Sequence, residues 1–397
     1  MTSRALVFNA GSSTIKFGIY ELAESGAQRV AKGHLDLRIS PLVFRFTQGD
    51  NSTESTLSAN VTDDLHDVVA AVTSWLSDYY GGESFIAAGH RIVHGGMHFT
   101  SPVWVDAEVL EQLDQLAPLA PLHQPAGLNL IRAMQAMHPE MPQLACFDTA
   151  FHSTQLQHAR RMAIPRALHD EGVRRYGFHG LSYEYIAGEL QRTEPSLANS
   201  KWVVAHLGSG ASLCAIHNGR SVDTSMGFSA LDGIPMATRP GELDAGVPLY
   251  LQQQKGFTVD DLQSWLYHDC GLKGVSGISA DARVLAESDD PIAADTMDYF
   301  AFRIARTIAA LASSLQGIDG VVFTAGIGEN QPGLRANVVA RLGWLGAKLD
   351  DRANAANAWV INADDSALQL RVIPTDEEQI IANAIVEMTE ELTNEHA

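Results

Sequence analysis

Arg239 follows the second of two similar sequence segments whose residue types could bind a phosphate chain. Residues 6–19 and 203–216 each contain an apolar strand pattern, a small turn rich in Gly and Ser, and a second apolar run. This pattern predicts a tight hairpin whose turn lets backbone N–H groups approach a ligand closely. Two such hairpins indicate a duplicated domain with phosphate groups held between its halves. Arg239 would then lie where a cation can meet a phosphoryl group during its transfer.

A third turn of small residues is predicted at residues 326–330, directly after an apolar strand at residues 321–324. A single Gly-rich turn is usually only a hairpin connection, but three of them, each at the end of an apolar strand, favour phosphate binding. The chain contains no G-x-x-x-x-G-K-[ST] sequence and no G-x-G-x-x-G after a strand. The phosphate-binding loop of P-loop enzymes and the dinucleotide-binding fingerprint are therefore excluded.

The composition limits the class of protein and its partners. The 397 residues suffice for two domains with separate cores, and the formal charge of −20 argues against a nucleic-acid partner. Anionic substrates would need Arg, Lys and His gathered locally against this acidic background. No run of 18 apolar residues predicts a membrane span, and no secretory leader is expected before the first strand. Three cysteines without metal-type spacing fit a reducing compartment, so we expect a soluble cytoplasmic protein.

Apolar periodicity predicts strands alternating with helices along the whole chain. Besides the two hairpins, strands are expected at residues 30–37, 41–47, 85–93, 144–147 and 321–324. Helices are expected after the start signal at residues 62–64, at about 107–116, at about 292–315 with Gly317 as terminator, and from about residue 376.

This alternation indicates an α/β protein with mixed sheets. The repeated hairpins place one domain at residues 1–150 and a second at residues 151–379. A terminal helix at about residues 380–397 is expected to pack back on the first domain.

Six segments together are similar to the acetate kinase (acetokinase) family. They are residues 9–16, 90–96, 147–152, 176–180, 223–227 and 323–330, in the order and spacing of that family. The resemblance implies two duplicated actin-like (ribonuclease H-like) α/β domains, each with a mixed five-stranded sheet flanked by helices, and a ligand cleft between them. It also implies reversible phosphoryl transfer between ATP and acetate, giving acetyl phosphate and ADP. Mg²⁺, or Mn²⁺ in its place, would be the cofactor, and a homodimer the assembly.

Three residues are the first candidates for catalysis, two of them within these segments and Arg239 between the last two. Two guanidinium groups, Arg91 and Arg239, can clamp a carboxylate and stabilise phosphoryl oxygens, and the alternative is a pair of surface arginines. The resemblance assigns Arg91 to the acyl substrate and Arg239 to the transition state. It gives His179 a hydrogen bond to the phosphoryl group, in place of the structural role that a lone histidine usually has.

Asp148 ends a short apolar strand, where a carboxylate can act in catalysis or merely cap a turn. A carboxylate substrate needs no strong general base at neutral pH, because its pKa is close to that of Asp and it is already ionised. This favours a role for Asp148 in orienting Mg²⁺ and its waters, although the family is often described with this aspartate as an acid or base. A covalent phospho-aspartate is the less favoured alternative.

The resemblance also implies a metal site and a nucleotide site. Asn9 and Glu378 match the metal-site residues, and magnesium usually takes one or two protein oxygens together with waters and phosphates. Taken alone, Glu378 would be an ordinary acid in the first turn of a helix. The implied nucleotide-binding residues are Ser12, Lys16, His206, Leu207, Gly208, Ser209, Gly210, Asp281, Ala282, Arg283, Gly326, Ile327, Gly328, Glu329 and Asn330.

The acyl substrate is expected in a small apolar pocket. Val93, Leu122 and Phe178 match the family's pocket positions, although each could be plain core. Ala230 stands where the family usually has proline. The smaller side chain leaves more room, which predicts easier use of propionate than in a typical member.

Other departures surround the second phosphate turn. Ser209 stands where the family usually has asparagine, and the loss of the amide predicts weaker stabilisation of the transition state. Ala237 and Ala245 replace the usual Gly and Pro near Arg239, with possible consequences for domain closure and rate.

Three other functions stay open at the level of sequence. A propionate or butyrate kinase would differ in the acyl pocket, and a pyrophosphate-dependent relative is disfavoured by the intact residues 326–330. A non-catalytic ATP-binding module of the same fold would need neither an acyl pocket nor paired arginines, so Arg91 and Arg239 argue against it.

Overall fold

The computed structural model of the chain describes residues 3–395, apart from residues 12, 13, 40, 63, 64 and 82–84. The chain divides into two compact units. Unit 1 consists of Met1–Ala150 and Asp376–Ala397, and unit 2 of Phe151–Thr375. No helix within the described residues is both long and apolar enough to cross a membrane.

Strands and helices alternate in the described part of the chain, as the periodicity predicts. The strands are β1 (Ser3–Ala10), β2 (Thr14–Ala23), β3 (Gly26–Asp36), β4 (Leu42–Gln48), β5 (Asn51–Leu57), β6 (Ala87–Ile92), β7 (Val103–Trp104), β8 (Gln143–Phe147), β9 (Lys201–Leu207), β10 (Ala211–His217), β11 (Arg220–Thr224), β12 (Gly320–Thr324) and β13 (Gln369–Val372). The helices are α1 (His66–Tyr79), α2 (Ala107–Gln115), α3 (Gln124–Met137), α4 (Arg166–Asp170), α5 (Gly180–Thr193), α6 (Gly246–Lys255), α7 (Val259–His268), α8 (Gly271–Ser276), α9 (Ala282–Ala286), α10 (Pro291–Leu315), α11 (Ala325–Asn330), α12 (Pro332–Arg341), α13 (Asp351–Ala355) and α14 (Glu377–Glu395). Short 3-10 helices lie at Ala117–Leu119, Ala150–Thr154, Pro195–Leu197 and Gly343–Leu345.

Each unit contains one mixed sheet, and the two sheets share a five-strand plan. In the described residues, unit 2 has the order β11-β10-β9-β12-β13, with the first two pairings antiparallel and the last two parallel. Unit 1 contains the same plan as β3-β2-β1-β6-β8, with the same directions. The repeated plan confirms the predicted duplicated α/β fold.

The sheet of unit 1 is larger than the predicted five strands. Its described strands number eight, because β4 and β5 extend one edge and β7 extends the other. Residues 51–57 have the sequence NSTESTL, which lacks the apolar alternation that predicts a strand. Its strand conformation depends on pairing with the apolar β4.

Helices cover both faces of the unit 1 sheet. One face packs Phe8, Ile15 and Phe17 against apolar side chains of α1 and α3. On the opposite face, α14 packs over β1 and β6. Gly89 of β6 permits this packing, because a Cβ atom there would lie 2.4 Å from Cγ2 of the buried Ile381.

The core of unit 2 is built around β9 and β12. Every residue of β12 is buried, as is typical of a central strand covered on both faces. Tyr183 and Ile186 of α5 pack against Trp202 and Val204 of β9. The long helix α10 also packs against β9 and β10.

The predicted limits of α10 are confirmed. Asp290 accepts a hydrogen bond from the backbone N–H of Ile292, and Pro291 occupies the first turn. The helix ends before Gln316, which has a φ of 56°, and Gly317 follows it.

Two local predictions differ from the structure. Residues 326–330, predicted as a turn, form the short helix α11, which begins directly after β12 at Ala325. In unit 1, α1 begins at His66, whereas the predicted start signal includes Asp63 and Asp64, which lie outside the described residues.

Gly89→Ala is expected to destabilise the protein by about 1–3 kcal/mol, because the added methyl group overpacks the contact between β6 and α14. The measurement is the free energy of unfolding in urea. Gly188→Ala is the matched control, since a Cβ atom at this exposed position of α5 meets no atom within 4 Å. The control should be neutral or stabilise by about 0.5–1 kcal/mol. Equal stability of the two variants would contradict the proposed role of Gly89.

Candidate active site

The half-buried Arg91 and the buried Asp148 form an ion pair in unit 1. Arg91 lies near the end of β6 and Asp148 follows β8, and these strands are parallel neighbours, so their carboxyl ends meet at one edge. Arg91 Nε donates to Asp148 Oδ1 at 2.9 Å, and Nη2 donates to Oδ2 at 2.6 Å. The side chain of Asp148 is 1% exposed. This two-pronged geometry fixes the plane of the guanidinium group.

Asn9 connects this ion pair to the terminal helix. Arg91 Nη1 donates to Asn9 Oδ1 at 3.0 Å. The amide nitrogen of Asn9 donates to Glu377 Oε2 at 2.9 Å and to Glu378 Oε1 at 3.2 Å. Glu377 Oε2 also lies 3.7 Å from Arg91 Nε. The ends of three neighbouring strands and the first turn of α14 therefore form one polar cluster.

The charges of this cluster compensate one another only in part. Burial acts to lower the pKa of Arg91, but the charges of Asp148 and Glu377 outweigh it and raise the pKa above its ordinary value. Burial, and then the charges of Glu377 and Asp376, raise the pKa of Glu378. Partly buried carboxylates with raised pKa values favour the approach of a further cation.

The residues present fit a magnesium site at Glu378. No three His, Cys, Asp or Glu side chains among the described residues are arranged to hold a metal ion by themselves. Glu377 and Glu378 nevertheless place hard oxygen donors together on the Asn9 amide nitrogen, while the Asn9 oxygen accepts from Arg91. Mg²⁺ usually binds through one or two carboxylates and completes its shell with waters and substrate phosphates. The donor set therefore suits a metal that arrives with a phosphate ligand.

In unit 2, a short chain of hydrogen bonds holds His179. This residue precedes α5 with a φ of 59°, a left-handed conformation that aims its side chain back across β10. Its Nδ1 lies 2.8 Å from Ser212 Oγ, and the same hydroxyl lies 2.5 Å from the phenol oxygen of Tyr183. If Tyr183 donates to Ser212 and Ser212 donates to Nδ1, the proton of the neutral imidazole is on Nε2. The Nε2–H group can then donate to a ligand.

A second histidine supports the first. The rings of His179 and His206 are stacked, with centroids 4.2 Å apart. His206 Nδ1 lies 2.8 Å from Ser182 Oγ, which in turn accepts a hydrogen bond from Thr375 Oγ1 at 2.9 Å. Both imidazole planes are therefore fixed by packing and hydrogen bonds.

Arg239 lies beside His179 at the second phosphate turn. A Cβ atom on Gly210 would be 2.6 Å from Arg239 Nη2 and 3.3 Å from His179 Nε2, so both groups lie directly against this glycine. Arg239 Nη1 donates to the carbonyl oxygen of Ala230 at 2.8 Å. No carboxylate of the described residues lies within 4.0 Å of Arg239. Burial lowers its pKa, with Tyr267 acting in the opposite direction. A guanidinium group so placed favours an anionic ligand.

The turn itself is closed by backbone hydrogen bonds. Gly208 N–H donates to the carbonyl of Gly210 at 3.1 Å, and Ala237 N–H donates to the carbonyl of Ser209 at 3.1 Å. Ser209 is exposed, so its hydroxyl is open to a ligand or to water. Leu207, the last residue of β9, is fully buried and anchors the turn to the sheet. The effect of serine in place of asparagine at this position stays a prediction.

Helix α11 lies next to this turn. Its Gly328 is close to Leu207, with 3.7 Å between the Leu207 Cβ atom and a Cβ built on Gly328, while Gly326 faces open space. Glu329 Oε1 accepts a hydrogen bond from Thr375 N–H at 3.3 Å, and burial raises the pKa of Glu329. Asn330 bonds back to the carbonyl of Gly326 at 2.9 Å.

The other proposed nucleotide residues are placed separately. Asp281 caps α9 by accepting from the backbone N–H of Arg283, and the two side chains form an exposed ion pair of 2.6 Å. Ala282 is buried where α9 packs on α10. Lys16 lies on β2 directly opposite Asn9. Ser12 lies outside the described residues.

The four proposed acyl-pocket residues fall in both units. Val93 and Leu122 belong to unit 1, where Val93 is buried and Leu122 half-buried. Phe178 and Ala230 belong to unit 2, where Phe178 is buried and Ala230 half-buried. Ala230 is next to the phosphate turn through its hydrogen bond with Arg239. Their role as a pocket stays a prediction.

Three residues of these clusters have no role in the sequence-based predictions. Glu377 shares its Asn9 contact with Glu378, and its only sequence signal is the pair of acids that begins the terminal helix. Ser212 and Tyr183 hold His179. Ser212 belongs to the repeated hairpin segment, but Tyr183 has a helical spacing typical of core and no signal of its own.

Comparison with known proteins assigns the family. The sequence matches the acetokinase family over residues 4–383. Acetate kinase of Nitrobacter hamburgensis is 47% identical over 381 residues, which cover 95% of this chain and 94% of the relative. Acetate kinase of Rhizobium meliloti is 46% identical over 379 residues, which cover 95% of this chain and 96% of the relative.

Solved structures agree with this assignment. A propionate kinase from Francisella tularensis superposes with a TM-score of 0.89 at 34% identity, covering 96% of this chain and 98% of that chain. Acetate kinase of Porphyromonas gingivalis superposes with a TM-score of 0.86 at 31% identity, covering 97% of this chain and 100% of that chain. This chain therefore belongs to the acetokinase family.

Proposed function

We propose that this chain is an acetate kinase, which transfers the γ-phosphoryl group of ATP to acetate in a Mg²⁺-dependent and reversible reaction. The observation that carries the proposal is the placement of Arg239 Nη2 and His179 Nε2 against Gly210 in the glycine-rich turn. Two donors beside a turn of small residues match what a transferring phosphoryl group requires.

The reaction needs positioning and charge stabilisation more than proton transfer. An acetate oxygen attacks the γ-phosphorus as the bond from this phosphorus to the β,γ-bridging oxygen breaks, which gives acetyl phosphate and ADP. Acetate is already ionised at neutral pH and carries no proton to be removed. Arg239 and the Nε2–H group of His179 stabilise the negative charge on the equatorial oxygens.

In unit 1, Arg91 binds the acyl carboxylate while Asp148 holds Arg91 in place. The hydrogen bonds to Asp148 and Asn9 use three of the five guanidinium N–H donors. One donor on each terminal nitrogen is left for an acetate oxygen. The role of Asp148 that this arrangement supports is positioning, rather than the orientation of metal-bound waters or a covalent phospho-aspartate. Asn9, Glu377 and Glu378 would hold Mg²⁺, whose charge offsets that of the ATP phosphates.

The nucleotide binds in this proposal along residues 206–210 and 326–330, with Asp281, Ala282 and Arg283 next to the adenosine and Lys16 near the phosphates. The two units act as domains whose closure excludes water, with the boundary after Thr375 in place of the predicted residue 379. We also retain the prediction of a cytoplasmic homodimer without nucleic-acid or membrane partners. The buried thiols of Cys146, Cys214 and Cys270 agree with a reducing compartment.

Propionate is the second candidate substrate. The solved structure with a TM-score of 0.89 to this chain is a propionate kinase. Ala230, half-buried and next to Arg239, has a smaller side chain than the proline usual in the family. One methylene group changes binding in an apolar pocket by only about 1–3 kcal/mol, so both acids are expected to react.

The proposed reaction is tested by trapping acyl phosphate as hydroxamate from ATP, Mg²⁺ and acetate. We expect product from the wild type and a turnover lower by a factor of about 10²–10³ in Arg239→Gln, which removes a charge from the transition state. Arg306→Gln, an exposed arginine in the same unit, is the control and should stay within about twofold. No product with acetate, propionate or butyrate, despite measurable ATP binding, would contradict the proposed function.

Ser212→Ala is expected to lower kcat by about tenfold with little change in the KM for ATP or for acetate. The reason is that the loss of one hydrogen bond leaves unfixed which ring nitrogen of His179 carries the proton. Tyr183→Phe should have a smaller effect in the same direction. Ser221→Ala removes a comparable buried bond of 2.9 Å, to His152 Nδ1, and controls for general loss of packing. Steady-state kinetics of the three variants checks this, and an equal loss in Ser212→Ala and Ser221→Ala would refute a specific role of Ser212.

Ala230→Pro is expected to lower kcat/KM for propionate about tenfold relative to acetate, because the ring fills the space for the extra methylene. The wild type should use both acids with similar efficiency. The measurement is the ratio of the two kcat/KM values in each protein. A steep preference of the wild type for acetate would show that Ala230 does not widen the pocket.

A further inference from the structure

One face of the unit 1 sheet carries a concentration of positive charge of which the proposed reaction uses only Lys16. A pocket of about 460 Å³ lies on this face and is lined by the basic side chains of Lys16, Arg29, Lys32, His34 and Arg45. Among the described lining residues, Glu378 is the one acid. In a chain with a formal charge of −20, such a concentration of cations favours an anionic ligand.

Strand register creates this basic surface. Lys16 of β2 is directly opposite His34 of β3, and His34 is directly opposite Arg45 of β4. Directly opposed side chains lie on one face, and neighbouring strands are about 4.8 Å apart. A second row follows two residues along, where Lys32 of β3 is opposite Thr47 of β4. Lys16, His34 and Arg45 therefore form a row that leads away from Asn9. Lys32 and the hydroxyl group of Thr47 lie beside this row.

The charges of this groove are incompletely compensated. Arg29 forms an ion pair of 2.7 Å with Asp376. Arg45 pairs with Glu54 at 2.9 Å, but both side chains are more than half exposed, so solvent screens the pair and Arg45 can turn to another anion. Within the described residues, neither Lys16 nor Lys32 has a carboxylate within 4.0 Å. Neither ammonium group is thus in an ion pair with a described residue, and the charge of Glu378 acts on Lys16 only from a longer distance.

His34 adds a neutral donor to these charges. Burial, and then the charge of Lys16, lower its pKa, while Asp36 acts in the opposite direction. The ring is therefore uncharged at neutral pH and can donate one hydrogen bond or accept one. Ammonium, guanidinium, imidazole and hydroxyl donors on a concave surface are the groups that bind phosphate oxygens.

We propose that this groove is a second anion site, in which Lys32, His34 and Arg45 bind a small multivalent anion that carries phosphate groups. Its inner end adjoins Lys16 and Glu378, and its outer end lies on strands β3 and β4, whose side chains have no part in the proposed phosphoryl transfer. The two sources of this chemistry are free inorganic pyrophosphate and the phosphate of a nucleotide. The concave shape and the net charge of the chain disfavour a nucleic acid or a membrane surface.

The experiment is a calorimetric titration of the full-length protein with pyrophosphate or with AMP, at low ionic strength and without metal ions, in which binding lost with Lys32 and Arg45 is assigned to the groove. Low ionic strength preserves the charge interactions. We expect one bound pyrophosphate per chain in the wild type. Lys32→Gln combined with Arg45→Gln should weaken this binding at least tenfold. Tighter binding of AMP than of pyrophosphate, with the same loss in the variant, would identify the nucleotide as the source.

The matched control combines Arg132→Gln with Lys348→Gln. Like the test variant, it removes one arginine and one lysine charge, but from exposed ion pairs whose residues do not line the pocket. Its binding should stay within twofold of the wild type, and thermal unfolding verifies that both variants fold. No binding of either probe to the wild type, or equal loss in both variants, would overturn the proposal.

Measuring acyl phosphate formation distinguishes the proposed groove from the catalytic site. Without added pyrophosphate, the Lys32 and Arg45 variant should keep the wild-type turnover within twofold, and a large loss would assign these cations to catalysis and overturn a separate site. The titration itself needs no kinase activity, so its result is independent of the hydroxamate assay.

Discussion

The largely buried guanidinium group of Arg91, 18% exposed, is the constraint on which the polar cluster of unit 1 depends. Its contacts with Asp148, Asn9 and Glu377 join the ends of the three parallel strands β1, β6 and β8 to α14, the last helix of the chain. Removing one partner of a buried ion pair typically costs about 3–5 kcal/mol, because the other charge is left without compensation. The same contacts that stabilise the cluster also fix the direction of the remaining N–H donors. The stability of the cluster and the orientation of its free N–H donors therefore depend on one set of hydrogen bonds.

Arg239 shows the opposite arrangement with the same side chain. It lies against Gly210 with a backbone carbonyl as its hydrogen-bond acceptor and no carboxylate of the described residues within 4.0 Å. A guanidinium group compensated by acids is held in place, whereas one compensated by a carbonyl dipole still attracts an anion. Residue type alone does not distinguish the two arginines, whereas the family resemblance and their different surroundings do. This difference agrees with one acting on a small carboxylate and the other on a more highly charged phosphoryl group.

Sequence reasoning succeeds where a residue's role is set by its neighbours along the chain. The hairpins, the limits of α10 and the α/β class follow from apolar periodicity and from capping residues such as Asp290. It fails where the role depends on a distant partner. The polar strand β5 exists because β4 pairs with it, and Glu377 matters because Asn9, 368 positions away, reaches it. Helix α11 is missed because a short segment with two glycines resembles a turn until it packs against β9.

The duplicated plan explains why the two units supply different groups. The offset of 197 positions between the hairpins aligns Asn9 with His206, and the matching parallel registers align Arg91 of β6 with Thr324 of β12. In unit 1 these strand ends carry an amide and a cation that require carboxylates around them. In unit 2 they carry an imidazole and a small hydroxyl, and the small side chain leaves room for a helix to begin at Ala325, which has a φ of 63°. One strand arrangement thus provides side-chain charge in one copy and backbone donors with imidazole in the other. In the proposed reaction the first suits a carboxylate substrate, which needs a fixed cation, and the second suits a phosphate chain, which needs donors that closely surround it.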